Sequence, residues 1–169
     1  APCNRVAILG LAGGYGVMGA DYVESRERDV ELRMAELREA TVARIRAASL
    51  PFASVRNPVD LTASATDDMY VEALGALLDD EGVDLVILST FFAPSGVTYD
   101  LIPRVAELVH GSPKPVINLT LYGPYTSQVM RRFHDAGVVG FSSVERAVRC
   151  ARVLVERARI LDRFQQGSA

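Results

Sequence analysis

The sequence predicts an α/β domain, a doubly wound parallel sheet held between two layers of helices. Three observations carry that prediction. Four short, nearly continuous apolar runs recur along the chain, at residues 5–9, 83–90, 115–121 and 138–141. A run without polar alternation is buried on both faces, as parallel strands are and half-solvated antiparallel strands are not. Each run opens into a loop, and each loop into a stretch with helical character; that alternation specifies β–α–β units. The chain has 169 residues, 49% apolar and 23% charged, the length of one domain that buries roughly 70% of its unfolded surface. Crossovers between parallel strands are right-handed, so helices cover both faces in three αβα layers. A single domain over 1–169 is expected, with its core at about 5–164.

The first run, RVAIL at 5–9, empties into a glycine-rich loop at 10–16, and 17–25 reads as a helix. Next, Val30, Leu32 and Met34 alternate as in a strand, whereas Leu37, Val42 and Ile45 recur at helical spacing. A short strand at 30–34 and a helix at 40–48 are expected. The rival is one helix from 17 to 48, because Arg and Glu abound and no breaker intervenes. Residues 52–55 are expected to add a short strand. Thr66 reads as the N-cap of a helix to Leu78, with Asp67 and Asp68 suited to its positive end. After the run at 83–90 comes a loop with Pro94 and Gly96, then a helix at 99–110. The run at 115–121 closes at Gly123 and Pro124. Gly137 stops the helix at 126–136, and 138–141 forms the last strand. A long helix from 143 to about 164 follows, capped by Ser142 or Ser143, and 165–169 is expected to fray.

Composition excludes several functions. The net charge is -3, without the basic excess of a nucleic-acid binder. Of the 18 basic residues 17 are Arg; the one lysine, Lys114, lies between two prolines, and no GxxxxGK(S/T) phosphate loop exists. Cys3 and Cys150 with His110 and His134 make no zinc-ligand spacing. Two distant cysteines are no disulfide framework and suit a reducing cytoplasm. No stretch of eighteen apolar residues could span a membrane, and no signal segment is recognisable. Strand 1 begins almost at once, as in an excised domain, a processed chain or a compact subunit.

Three loops could carry chemistry. Gly13, Gly14 and Gly16, with Tyr15 among them, precede a helix start. There, glycines admit an anion close to free amides and the helix dipole favours its charge. The spacing is not GxGxxG, Asp29 and Glu31 are poorly placed for a ribose, and a tight turn would need the same glycines. The run Asn57-Pro58-Val59-Asp60-Leu61-Thr62 is rich in short hydrogen-bonding side chains, which equally suit a loop that satisfies its own backbone. Phe91-Phe92-Ala93-Pro94-Ser95-Gly96 sits at a strand's carboxyl end, where substrates of such sheets bind, although the phenylalanines also suit the core. His110 and His134 end helices and read as surface caps, so no nucleophile–His pair is supported. The arginines of the last helix (Arg146, Arg149, Arg152, Arg157, Arg159, Arg163) read as a solvated face or as a dock for an acidic partner.

These motifs together resemble the ligase-CoA domain of the NDP-forming acyl-CoA synthetases, relatives of succinyl-CoA synthetase. Ala12-Gly13-Gly14-Tyr15-Gly16-Val17, with Asp21 and Glu24, is similar to that domain's TNAGGPGVLAADALE. Residues 51–62 with Ala65 and Thr66 resemble PPFASVGNPVDLTGDAT. Ala136-Gly137-Val138 and residues 141–148 resemble its closing AGIPVF and PERAV segments. The likeness covers 5 to about 155 in order, and NPVDLT is its most specific part.

The resemblance implies a flavodoxin-like domain of an ADP-forming ligase that makes acyl-CoA from a carboxylic acid, CoA and ATP. It implies a phosphohistidine on a partner domain, held between two helix N-termini. Gly13, Gly14, Tyr15 and Gly16 would bind the phosphoryl group. Asn57, Asp60 and Thr62 would form a supporting loop, and Ala93, Pro94, Ser95 and Gly96 would lie near the acyl substrate. No catalytic side chain, metal site or tightly bound cofactor is implied on this chain. CoA and ATP/ADP with Mg are substrates of the complete enzyme. The CoA-binding/phosphohistidine domain and the ATP-grasp domain would be partners, in the same longer chain or another subunit, and exposed docking faces leave room for a homo-oligomer. Where the family has Thr-Asn, this chain has Gly10-Leu11, which removes a hydrogen-bonding side chain from the loop; its Gly-Asp is Ala63-Ser64. A non-catalytic module of the same fold is the alternative.

Overall fold

The computed structural model of the chain describes residues 3–25, 30–121 and 125–166. Strand β1 (Arg5–Gly10) leads into helix α1 (Gly13–Glu24), and β2 (Arg33–Met34) into α2 (Glu39–Ala48). After them come β3 (Val59–Asp60), α3 (Asp67–Asp79), β4 (Leu85–Thr90) and α4 (Leu101–Gly111). The chain closes with β5 (Val116–Thr120), α5 (Thr126–Asp135), β6 (Gly140–Phe141) and α6 (Val144–Gln166). Among the described residues all five strand pairings are parallel, and the order is β2-β1-β4-β5-β6, with β3 also on β1. With the two-residue β3 set aside, this is the flavodoxin-like order.

Strand alternation divides the core in two. Ala7, Leu9, Val86, Leu88 and Val116 meet the buried faces of α2, α3, α4 and α5. Val6, Ile8, Leu85, Ile87, Ile117 and Leu119 meet α1 and α6. The helices supply apolar stripes at matching spacing. In α3 Tyr70, Ala73, Leu74, Leu77 and Leu78 are buried; in α6 Val144, Ala147, Val148, Ala151 and Val155 are. Thr66 caps α3, its Oγ1 accepting from the Met69 amide at 3.4 Å. Ser143 Oγ accepts from the Arg146 amide at 3.4 Å at the start of α6. Gly137 ends α5 at φ 76°, a backbone angle that L side chains resist.

Of the strand expected at 30–34, only Arg33–Met34 forms, as β2, and the single helix from 17 to 48 is not found. Two expectations are corrected. Residues 52–55 are not a strand: Ser54 exchanges both backbone bonds with Asp60 in an antiparallel bridge, and the chain doubles back so that Val59–Asp60 pairs with β1. Helix α1 begins four residues before the expected 17, because the glycines taken for a loop form its first turn. Of the end expected to fray at 165–169, Gln165 and Gln166 continue α6; residues 167–169, like Gly123 and Pro124, lie outside the described residues.

Arg152 is also corrected. It belongs to no solvated or docking face: it is 6% exposed, and its Nη2 donates to the carbonyls of Tyr22 at 2.7 Å and Ser25 at 2.8 Å. A guanidinium thus covers the negative end of α1, whose last carbonyls lack helical partners.

At the carboxyl ends of β4 and β5, Thr90, Asn118 and Thr120 are fully buried and close a ring of hydrogen bonds at 2.8–3.1 Å. A satisfied buried network of this kind fixes the strands beneath the 91–96 loop.

Candidate functional site

Strand order reverses between β1 and β4, and ligands of open parallel sheets bind outside the carboxyl ends at that reversal. A hollow of about 230 Å³ lies there. Gly10, Gly13, Gly16 and Val17 form one wall, Ser54, Pro58 and Asp60 another, and Ser89 of β4 joins them. A larger hollow of about 330 Å³, between Cys3, Asp84, Lys114 and Leu154, sits at the amino ends of the strands. Its position, and the Lys114 ammonium already donated to the Asp80 carbonyl at 2.6 Å, make it the weaker candidate.

The hollow is built by three segments. β1 ends at Gly10, and α1 starts at Gly13 without a side-chain cap. The amides of Tyr15 and Gly16 bond back to the Ala12 carbonyl, whereas those of Gly13 and Gly14 meet no acceptor among the described residues. Two unpaired donors therefore stand at the positive end of a 12-residue helix, an arrangement that favours an anion. Gly14 has open space where a side chain would be.

The second segment is held by Asn57. β2 covers β1 at Arg5 and Val6, and β3 covers it at Leu9 and Gly10. Between them the Asn57 carboxamide replaces a strand residue. Its Oδ1 accepts from the Ile8 amide at 2.9 Å, and its Nδ2 donates to the carbonyls of Val6 at 2.8 Å and Ala35 at 3.0 Å. Asp60 follows at the rim, its Oδ1 accepting from the Thr62 amide at 2.8 Å. That turn holds Thr62 at φ 68°, strained for a β-branched residue. Tyr70, fully buried, donates its hydroxyl to the Ser89 carbonyl at 2.8 Å and braces the floor. Burial first, and the nearby Asp60 charge second, push its phenol well above the ordinary tyrosine range.

The structure thus brings Gly13, Gly16 and Asp60 around one hollow. Tyr15 packs against the α1–α6 side of the core. Asn57 and Thr62 support the wall without lining it. Ala93, Pro94, Ser95 and Gly96 do not line it either. Their loop is fastened to the start of α3, where the Gly96 carbonyl accepts from the Asp67 amide at 3.0 Å and Asp67 accepts from the Thr98 hydroxyl at 2.6 Å. Leu11 is 5% exposed and packs in the core, so it removes no group from the lining. His110 and His134 are exposed at the ends of α4 and α5; His134 Nε2 lies 3.2 Å from the Gly140 carbonyl. Sequence reasoning missed Ser54, Ser89 and Tyr70. Ser89 carried a legible signal, as a polar residue near the end of an apolar strand.

Among the described residues no group of three or more His, Cys, Asp or Glu could hold a metal ion, and no helix is long and apolar enough to cross a membrane.

No protein-family profile matches the chain. Individual proteins do. The acetate–CoA ligase (ADP-forming) II subunit alpha of Pyrococcus furiosus is 33% identical over 162 residues, 92% of this chain and 34% of that protein. The acetate–CoA ligase (ADP-forming) I of Archaeoglobus fulgidus is 28% identical over 157 residues, 93% of this chain and 22% of that protein. Among solved structures, PH0766 from Pyrococcus horikoshii OT3 superposes with a TM-score of 0.84 at 31% identity, over 92% of this chain and 36% of that chain. Acetyl-coenzyme A synthetase 1 of Ca. Korarchaeum cryptofilum, in complex with phosphate and ADP, superposes with a TM-score of 0.82 over 98% of this chain and 35% of that one. At 24% identity it shows the shared fold alone. The chain spans between 22% and 34% of the length of these two ligases.

Proposed function

We propose, from the premise that this chain belongs to the NDP-forming acyl-CoA synthetase superfamily as its ligase-CoA domain, that it holds a phosphoryl group during acid–CoA ligation. The observation that carries the reading is the pair of unpaired amides, Gly13 and Gly14, where α1 opens at the reversal of strand order. Negative charge moving between histidine, acyl group and nucleotide needs donors already in place, and preorganised amides stabilise it without rearranging.

The chemistry divides accordingly. This chain supplies backbone donors and a helix dipole, not a nucleophile, because both histidines lie at helix ends away from the hollow. The phosphorylated histidine belongs to a CoA-binding partner domain, and ATP or ADP with Mg to an ATP-grasp domain. Both are further parts of a longer chain or other subunits. The complete assembly forms acyl-CoA from a carboxylic acid, CoA and ATP. Ala93 to Gly96, outside the hollow, would meet the acyl substrate from the neighbouring loop.

Titration of the isotope-labelled chain with acetyl phosphate, inorganic phosphate and CoA, read by amide NMR, tests the reading. Shifts confined to Gly13, Gly14 and Gly16 are expected with the phosphate ligands. No shift there at high ligand, with the loop ordered, would instead support a non-catalytic module of the same fold.

A further inference from the structure

The hollow holds a charge of its own. Asp60 Oδ2 lies so near Gly13 that a Cβ at that position would sit 2.8 Å from it. Its Oδ1 is anchored by the Thr62 amide at 2.8 Å, while Oδ2 accepts no hydrogen bond from the described residues. The carboxylate therefore stands beside the unpaired amides of α1 without bonding to them. Arg5, Arg38, Arg44, Arg56, Arg104 and Arg149 are all paired with other carboxylates, and among the described residues no basic side chain lines the hollow.

We propose that Asp60 is a resident anion that sets the charge selectivity of the α1 cradle, making it weak for free phosphate and open to a phosphoryl group delivered on a partner. The inference rests on the cradle being a phosphoryl site. Beside a carboxylate at van der Waals range, a phosphate dianion is repelled even in high dielectric. A group tethered to a docked domain arrives at a high effective concentration and overcomes that repulsion; free phosphate does not. Inorganic phosphate would then leave the site readily and compete poorly with the tethered intermediate.

The test is phosphate binding to the wild-type chain and to Asp60→Asn, followed at the amides of Gly13, Gly14 and Gly16. The amide variant keeps an acceptor for Thr62. At low salt it should bind inorganic phosphate about tenfold tighter than wild type, and the gap should close as salt screens the charge. Equal affinities would overturn the role of Asp60 and leave the cradle standing. No shift in either chain would overturn the cradle itself. Mg²⁺ that tightens phosphate binding by the wild type but not by the variant would make Asp60 a cation ligand instead, and so overturn the proposal. Should the variant misfold, the wild type alone decides: phosphate dianion should bind no tighter than acetate, and a strong preference for the dianion would refute the proposal.

Discussion

Replacing Asn57 probes how the site wall is held. Its carboxamide makes three hydrogen bonds to backbone, with Ile8, Val6 and Ala35. Each contributes about 1 kcal/mol net, and the Ile8 amide, once orphaned inside the sheet, loses more. Asn57→Ala should therefore destabilise the fold by about 2–4 kcal/mol, a fall in Tm on the order of 10 °C for a chain of this length. Asn57→Asp sharpens the test. It retains an acceptor for Ile8 but turns an oxygen toward the carbonyls of Val6 and Ala35, so it should be no more stable than the alanine variant. Urea unfolding followed by circular dichroism measures both. An alanine variant within about 0.5 kcal/mol of wild type, or an aspartate variant as stable as wild type, would refute the bridging role.

Arg152→Ala should cost about 2–4 kcal/mol, because the carbonyls at the end of α1 lose a buried charged donor; Arg152→Lys should recover part of it in the same denaturation assay. Thr62→Gly should stabilise by roughly 0.5–1 kcal/mol, the relieved left-handed strain exceeding the entropy that glycine adds to the unfolded chain; a lower urea midpoint would contradict the strain. Acid should weaken the fold through Asp80 and Asp84. Burial pushes both carboxyls up, but the bonds from Thr41 and the Arg38 and Gly82 amides to Asp80, and from Arg5 to Asp84, hold both below the usual carboxylate range. Their stabilisation is present above the unfolded value of about 3.9 and is lost as pH falls below it. Urea midpoints that decline below about pH 4 in wild type, and decline less in Asp84→Asn, are expected.

The fold class was legible because burial on both faces leaves a mark on every strand: the runs at β1, β4 and β5 contain few polar residues, and their order along the chain implies parallel pairing. Caps and stops at Thr66, Ser143 and Gly137 were equally local, since each acts on the backbone within a few residues. The glycines pointed to a wall of the hollow at the start of α1, although their sequence left a loop and a first helical turn indistinguishable. The rest was settled by contacts across the chain. Asn57 reads as a loop residue until β2 and β3 leave a gap on β1 that its carboxamide fits. Arg152 reads as a surface charge until α6 lies against α1 and presents it to the carbonyls of Tyr22 and Ser25. Asp60 reads as a supporting group until the chain doubles back through Ser54 and carries it to Gly13. The sequence by itself determined the long buried strands, the helices that follow them and several of their caps, because periodicity and capping are properties of neighbouring residues. Only the tertiary structure decided which polar side chains meet, because those partners are separated by tens of residues and only the packed sheet brings them within hydrogen-bonding distance.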